Sequence, residues 1–193
     1  NTCPSQPINL AIGGTFTCTF DATLTGDAGG PDHQNTVTAT VQDGEGNPVS
    51  DDDPATVSYD DVLPTITTTK TALPDTVAEP GGTVTFLIAV ENTSVEPVTL
   101  TDLDDDVFGD LLDPANPAIS SNDCDDQPTT IGVGATFTCT FDAALSGLAG
   151  DPDHQNTVTA VADDDEGNSA TDDATETVRF TDAVPTISVA KAP

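Results

Sequence analysis

The chain repeats itself. Sliding the sequence by 121 positions lays residues 1–72 on residues 122–193 without a gap, and 39 of the 72 pairs are identical. The stretch "GGTFTCTFDATLTGDAGGPDHQNTVTA" at 13–39 falls on "GATFTCTFDAALSGLAGDPDHQNTVTA" at 134–160. A fixed period of this length signals stacked units that each need a neighbour to cover an apolar face. The expected organisation is therefore a complete repeat at 64–184. Residues 1–63 are expected to be the back half of a preceding repeat, and residues 185–193 the first strand of a following one. Asn1 opens in the middle of the pattern, so the chain is expected to be a mature piece or a window of something longer. A tail of nine residues cannot replace the 58 residues (64–121) that the first half-repeat lacks. Completion of that half by a single donated strand is therefore not expected.

Within 64–184 the residues read as strands. Thr, Val and Ile alternate between clusters of Gly, Pro and Asp, which is the signature of short strands and tight turns. The spacing predicts strands at 65–71, 83–91, 97–103, 135–144, 156–162 and 174–181, with a weak one near 117–121. Seven short strands with turn signals between them predict an all-β fold of tandem immunoglobulin-like β-sandwich repeats. The Cys…Trp…Cys pattern of antibody domains is absent, so the expectation concerns architecture only. The longest apolar run, "FLIAV" at 86–90, is far too short to span a bilayer.

Charge narrows the partners. Three basic residues, Lys70, Arg179 and Lys191, stand against 34 acidic ones, 28 of them Asp, for a net charge of −31. Nucleic acid and anionic membrane surfaces are excluded as expected partners, because phosphate binding needs Lys and Arg to displace counterions. The cysteines fall 15 residues apart in both copies, Cys3 with Cys18 and Cys124 with Cys139. Each copy thus carries its own pair, which selects one pairing of the three that four cysteines allow. Zinc is the rival reading, but neither CxxC nor a histidine at ligand spacing accompanies them. Disulfides imply a compartment outside the reducing cytosol, and the expected location is extracellular or at the cell surface.

Two of the three basic residues are the same lysine of the repeat. Strand alternation puts Lys70 on the side of Ile66, and Lys191 on the side of Ile187 and Val189. The same rule faces Asp102 inward with Val98 and Leu100, and Asn156 inward with Val158 and Ala160. A buried ammonium without a partner is very costly. Desolvation also lowers its pKa and frees its lone pair. The lysine–aspartate–asparagine order on an all-β sandwich resembles collagen-adhesin-type immunoglobulin-like domains of bacterial surface proteins. That resemblance implies an internal isopeptide bond, with Lys70 as nucleophile, Asn156 as electrophile and Asp102 as the acid that moves protons. Asn35 occupies the matching position in the first copy. The bland alternative is a lysine that snorkels from a sheet edge to a carboxylate. More widely, "KTALPDTVAEPGGTVTFLIAVENTS", "VTLTDLDDDVFGDL", "TCTF", "HQNTVTA" and "DDEGN" are similar to the tandem conserved-repeat domains of very large bacterial and archaeal surface proteins. This implies an extracellular structural array and no enzymatic activity.

The acidic loops are the other candidates. Ca2+ takes roughly six to eight oxygen ligands, and the loops after 97–103 and 156–162 offer Asp104, Asp105, Asp106, Asp164, Glu166, Asn168, Asp172 and Asp173. In the first copy Asp163 and Asp165 become Gln42 and Gly44, so those two are not needed in every repeat. A solvated hairpin with Glu-Gly-Asn as its turn is the competing reading. His33 and His154 recur in "PDHQN" and are expected to close a turn by backbone hydrogen bonds, with a metal-binding or catalytic histidine as the rival reading. Asn92-Thr93-Ser94 is a glycosylation sequon. Together the residues predict a structural module of an extracellular filament, stalk or giant surface adhesin. It is not expected to be an enzyme, and its partners are neighbouring repeats of the same protein in a self-assembling array. The alternatives are a ligand-binding adhesin domain and an acid-rich, salt-adapted surface-layer component.

Overall fold

Alternation of apolar and polar side chains marks most of the long strands of this chain, and no helix forms among the described residues. No helix is therefore long and apolar enough to cross a membrane. The computed structural model describes residues 1–4, 7–125 and 129–192. It divides into two units, Asn1–Asp61 and Val62–Pro193.

In the first unit, strands β1 (His33–Gln42) and β2 (Pro48–Val57) form an antiparallel hairpin with His33 opposite Val57 and Gln42 opposite Pro48. The turn is held by Asp43. Its Oδ1 accepts from the backbone N–H of Asn47 at 2.8 Å and of Glu45 at 3.1 Å, and its Oδ2 accepts from Asn47 Nδ2 at 2.9 Å. Gly46 takes a φ of +88°, which a side chain would resist. Ahead of the hairpin, Cys3 and Cys18 are bonded. The hairpin's valines remain open to solvent, Val37 by 62% and Val49 by 64%.

The second unit contains two sheets. One has three strands in the order β3 (Ile66–Leu73), β5 (Gly81–Asn92) and β9 (Thr136–Ser146), all antiparallel. The other has six, and its main path runs β4 (Thr76–Ala78), β11 (Ser169–Thr181), β10 (His154–Asp163), β6 (Val98–Asp105) and β7 (Gly109–Asp110). Strand β8 (Thr129–Ile131) pairs with β6 off this path. Pro74 lies between β3 and β4, and β4 then joins the opposite sheet, running parallel to β11. The weak strand expected at 117–121 is not formed. Only Ser120 pairs there, in an isolated bridge with Asp142, and the segment is otherwise loop.

The inner faces meet in one core. Val84, Phe86, Ile88 and Val90 of β5 and Phe141 of β9 face Leu100 and Leu103 of β6, Val158 and Ala160 of β10 and Val178 of β11, all essentially without exposure. Each large side chain shut away from water contributes about 2–3 kcal/mol. Phe86 and Phe141 stack at 5.2 Å, and Phe108 meets Phe141 edge-on at 5.6 Å. Cys124 and Cys139 are bonded and buried. The β10–β11 turn repeats the first unit's device. Asp164 accepts from the Asn168 backbone N–H at 2.7 Å and from its Nδ2 at 3.0 Å, and Gly167 takes a φ of +89°.

Strand β6 departs from simple alternation. Asp102 lies opposite Val161 and Leu100 opposite Ala162, so Thr101 is an extra residue in the ladder. This bulge reverses the parity of everything after it. Leu103 and Asp105 turn inward, while Asp102 and Asp104 are exposed. The expectation that Asp102 faces the core is thereby corrected.

Candidate functional site

Strand β3 alternates without interruption, so Ile66, Thr68 and Lys70 all face inward. The Lys70 side chain is fully buried and forms an ion pair with Asp105, itself fully buried. Asp105 Oδ2 accepts a hydrogen bond from Lys70 Nζ and a second from Asn156 Nδ2, the latter at 2.7 Å. Its Oδ1 accepts from the backbone N–H groups of Val107 and Phe108, each at 3.1 Å. One carboxylate thus holds the lysine amine, the asparagine amide and the turn leaving β6. Phe86 lies below the Lys70 Nζ at 4.9 Å and Phe141 at 5.9 Å, so aromatic faces line the charge. Burial pushes the Lys70 ammonium below its ordinary value, against the hydrogen bond and charge of Asp105, which pull it up. Asn156 Oδ1 is buried and accepts no hydrogen bond among the described residues.

The expected lysine and asparagine therefore meet, and Asp105 takes the place assigned to Asp102. A signal for this was present in "LTDLDDD". Leu100 and Leu103 are three apart, and no regular strand can bury both without an extra residue between them. Chemically, the arrangement places an amine of lowered basicity beside a primary amide, with a carboxylate hydrogen-bonded to both nitrogens. This is the grouping that amide exchange needs. The amine must lose a proton to become a nucleophile, and the leaving nitrogen must gain one.

The other expected residues are distributed differently. Asp105 is committed to Lys70, and Asp106 accepts from the Thr157 backbone N–H at 2.8 Å. Asp104 is exposed; partial burial raises its pKa, with the charges of Asp102 and Asp110 adding to it. Asp164 and Asn168 hold the β10–β11 turn, and Glu166 is half-buried within it. Asp172 accepts from the Thr68 backbone N–H at 2.6 Å, which links the free edge of β3 to the opposite sheet. Asp173 is exposed. Of the eight oxygen donors expected to bind Ca2+, several are thus occupied by backbone. The expected glycan acceptor is corrected too. Asn92 has no exposure, donates to the carbonyls of Glu96 at 2.8 Å and Ile131 at 2.9 Å, and accepts from the Ser94 backbone N–H at 2.9 Å. In the fold its side-chain nitrogen is spent on two carbonyls and cannot carry a sugar. Among the described residues His154 Nε2 closes no turn; the imidazole packs instead against Phe108 and Phe86. The paired cysteines leave no zinc site of the kind weighed above.

No protein family matches the chain's sequence, and no characterised protein does. Solved structures similar to it include a Ca2+-stabilised adhesin with which an Antarctic bacterium reaches out and binds ice. That match has 19% identity and a TM-score of 0.34, over 79% of this chain and 32% of that one. Another is a 1.5-MDa bacterial ice-binding adhesin studied for its retention at the host cell surface. It is 21% identical with a TM-score of 0.32, over 76% of this chain and 41% of that one. The chain spans less than half of either structure, and a superposition this loose transfers no function.

Proposed function

We propose that the chain is a structural repeat module of an extracellular filament, stalk or giant surface adhesin, built from immunoglobulin-like sandwiches and locked by covalent bonds. The observation that carries this reading is the buried Lys70–Asp105–Asn156 cluster. Its amine, amide and carboxylate all belong to the chain and are sealed in the core. Their condensation gives a cross-link between β3 and β10 on opposite sheets and leaves no site for turnover, so the reading assigns no enzymatic activity. Attack of Lys70 Nζ on Asn156 Cγ forms the amide and releases ammonia, with Asp105 carrying a proton between the two nitrogens. Sheet orders β3-β5-β9 and β11-β10-β6 support the immunoglobulin-like assignment. The disulfides support an oxidising location.

Repetition supports the array. The turn, the disulfide and the asparagine occur in both copies, and Val37 and Val49 of the first unit correspond to Val158 and Ala170 of the second, which are core. Neighbouring repeats of the same protein are the partners this reading assigns. It also assigns Ca2+ to the acidic end of β6, where burial raises the Asp104 pKa and the charges of Asp102 and Asp110, which a cation would offset, add to it. The test is the intact mass of the reduced full chain beside Lys70→Ala. The wild type should be one ammonia lighter than its sequence, and the variant should have its sequence mass. A wild-type mass equal to the sequence would overturn the covalent lock.

A further inference from the structure

This inference rests on the reading that Lys70 and Asn156 condense, and it concerns how protons leave the site. The lysine enters as an ammonium with three protons and ends as an amide nitrogen with one. The departing Asn156 nitrogen needs only one of the two released, and Asp105 accounts for that one. A second proton must leave a buried site.

The chain has two histidines, His33 and His154, and each stands two residues before the asparagine of its repeat, Asn35 and Asn156. Residues two apart share a face of a strand, so His154 lies on the side of Asn156 along β10. Its ring is 5.7 Å from Phe108 and 6.4 Å from Phe86 between centroids, and Phe86 is the ring under the Lys70 amine. His154 Nε2 is shut from solvent and has no hydrogen-bond partner among the described residues. A buried nitrogen left in this state calls for an explanation, and proton transfer is one. The residue as a whole is half-buried, whereas Lys70, Asp105 and Asn156 are buried.

We propose that His154 is the proton carrier of the condensation, taking the second proton from Lys70 Nζ and delivering it to the departing ammonia. Lys70 first gives one proton to Asp105, and the free amine adds to Asn156 Cγ. His154, whose Nε2 is not hydrogen-bonded to Nζ in the uncondensed fold, closes on the adduct and takes a proton from its Nζ. Asp105 returns its proton to Nδ2, the Cγ–Nδ2 bond breaks, and ammonia leaves. Imidazolium gives its proton to that ammonia, which exits as ammonium. Asp105 ends as carboxylate and His154 neutral, so one lysine ammonium and one amide become one secondary amide and one ammonium. Burial lowers the His154 pKa, and the Lys70 charge lowers it further, while Asp105 and Asp106 oppose this. These three residues, from β3 and from the end of β6, are the charged groups that act on its pKa. Burial thus favours the neutral imidazole, the form that can accept a proton.

The test follows ammonia loss by intact mass as the full chain, recovered unfolded, is diluted from denaturant at pH 5 to 9, beside His154→Gln and His154→Phe. The wild-type rate should rise with pH through a step below 6.5. Both variants should fold yet react about 100-fold more slowly, the scale of a lost proton carrier. They should lack the step, and added imidazole should partly restore the rate of His154→Gln. Equal rates and identical pH profiles for variants and wild type would overturn the role of His154 while leaving the condensation intact. A wild type that never loses ammonia would sink both.

Discussion

A single carboxylate decides the behaviour of the core. Asp105 is the partner of a fully buried lysine, so removing it leaves an uncompensated buried charge, which typically costs about 3–5 kcal/mol. Asp105→Ala should therefore melt well below the wild type and abolish ammonia loss, whereas Asp102→Ala, exposed on the other face, should stay within about 0.5 kcal/mol. Thermal melts and intact masses of the two variants check both halves of this contrast. Asn92 sets a second residue-scale test. Asn92→Ala strips partners from the buried carbonyl of Ile131 and from Ser94, and should destabilise by about 2–3 kcal/mol in chemical denaturation. Expression in a glycosylating host should add no sugar at Asn92 of the folded chain. His154 gives a pH signature. Its folded pKa lies below the ordinary 6.5, so the unfolded chain binds more protons between those two values. Stability from this group is complete above about pH 6.5 and falls as pH drops toward the folded value. His154→Gln should flatten that part of a stability–pH curve measured in urea.

At the scale of elements, much of the second unit was legible from alternation. The expected strands at 83–91, 156–162 and 174–181 fall within β5, β10 and β11, and β9 and β3 cover all but the first residue of 135–144 and of 65–71. Lys70 was placed correctly because nothing disturbs the period of two along β3. The same rule failed on β6, where Thr101 is surplus and every later side chain changes face. A bulge shows in sequence only as a break in spacing, and Leu100–Leu103 was that break. The weak strand near Ser120 failed for another reason. That segment makes one bridge to Asp142 and is otherwise held by side chains such as Asn116 and Asn122, which bond backbone carbonyls. Asn92 illustrates a limit of motifs: a sequon states chemistry but not burial. The bulge itself makes a prediction. Deleting Thr101 should close the β6–β10 ladder while Leu100, Leu103 and Asp105 stay inward. Such a variant should still lose ammonia. Its failure to do so, in a chain that folds, would show that the bulge positions Asp105 as well as orienting it.

At the scale of the whole molecule, charge and covalent bonds work against each other. A net charge of −31 on 193 residues favours solubility and opposes compaction through self-repulsion. Raising salt should therefore raise the melting temperature, and Ca2+ should raise it further than Mg2+ at equal ionic strength if the acidic end of β6 binds it. Each disulfide closes a 15-residue separation, worth about 3 kcal/mol. Reduction should lower stability by that order while leaving a Lys70–Asn156 bond untouched. The most direct measurement is accordingly the intact mass of the full chain after complete reduction, set beside Lys70→Ala, Asp105→Ala and Asp102→Ala. One ammonia should be missing from the wild type and from Asp102→Ala, and none from the other two. A wild type at its full sequence mass would contradict it, and Lys70 would then be a buried lysine held only by its ion pair with Asp105.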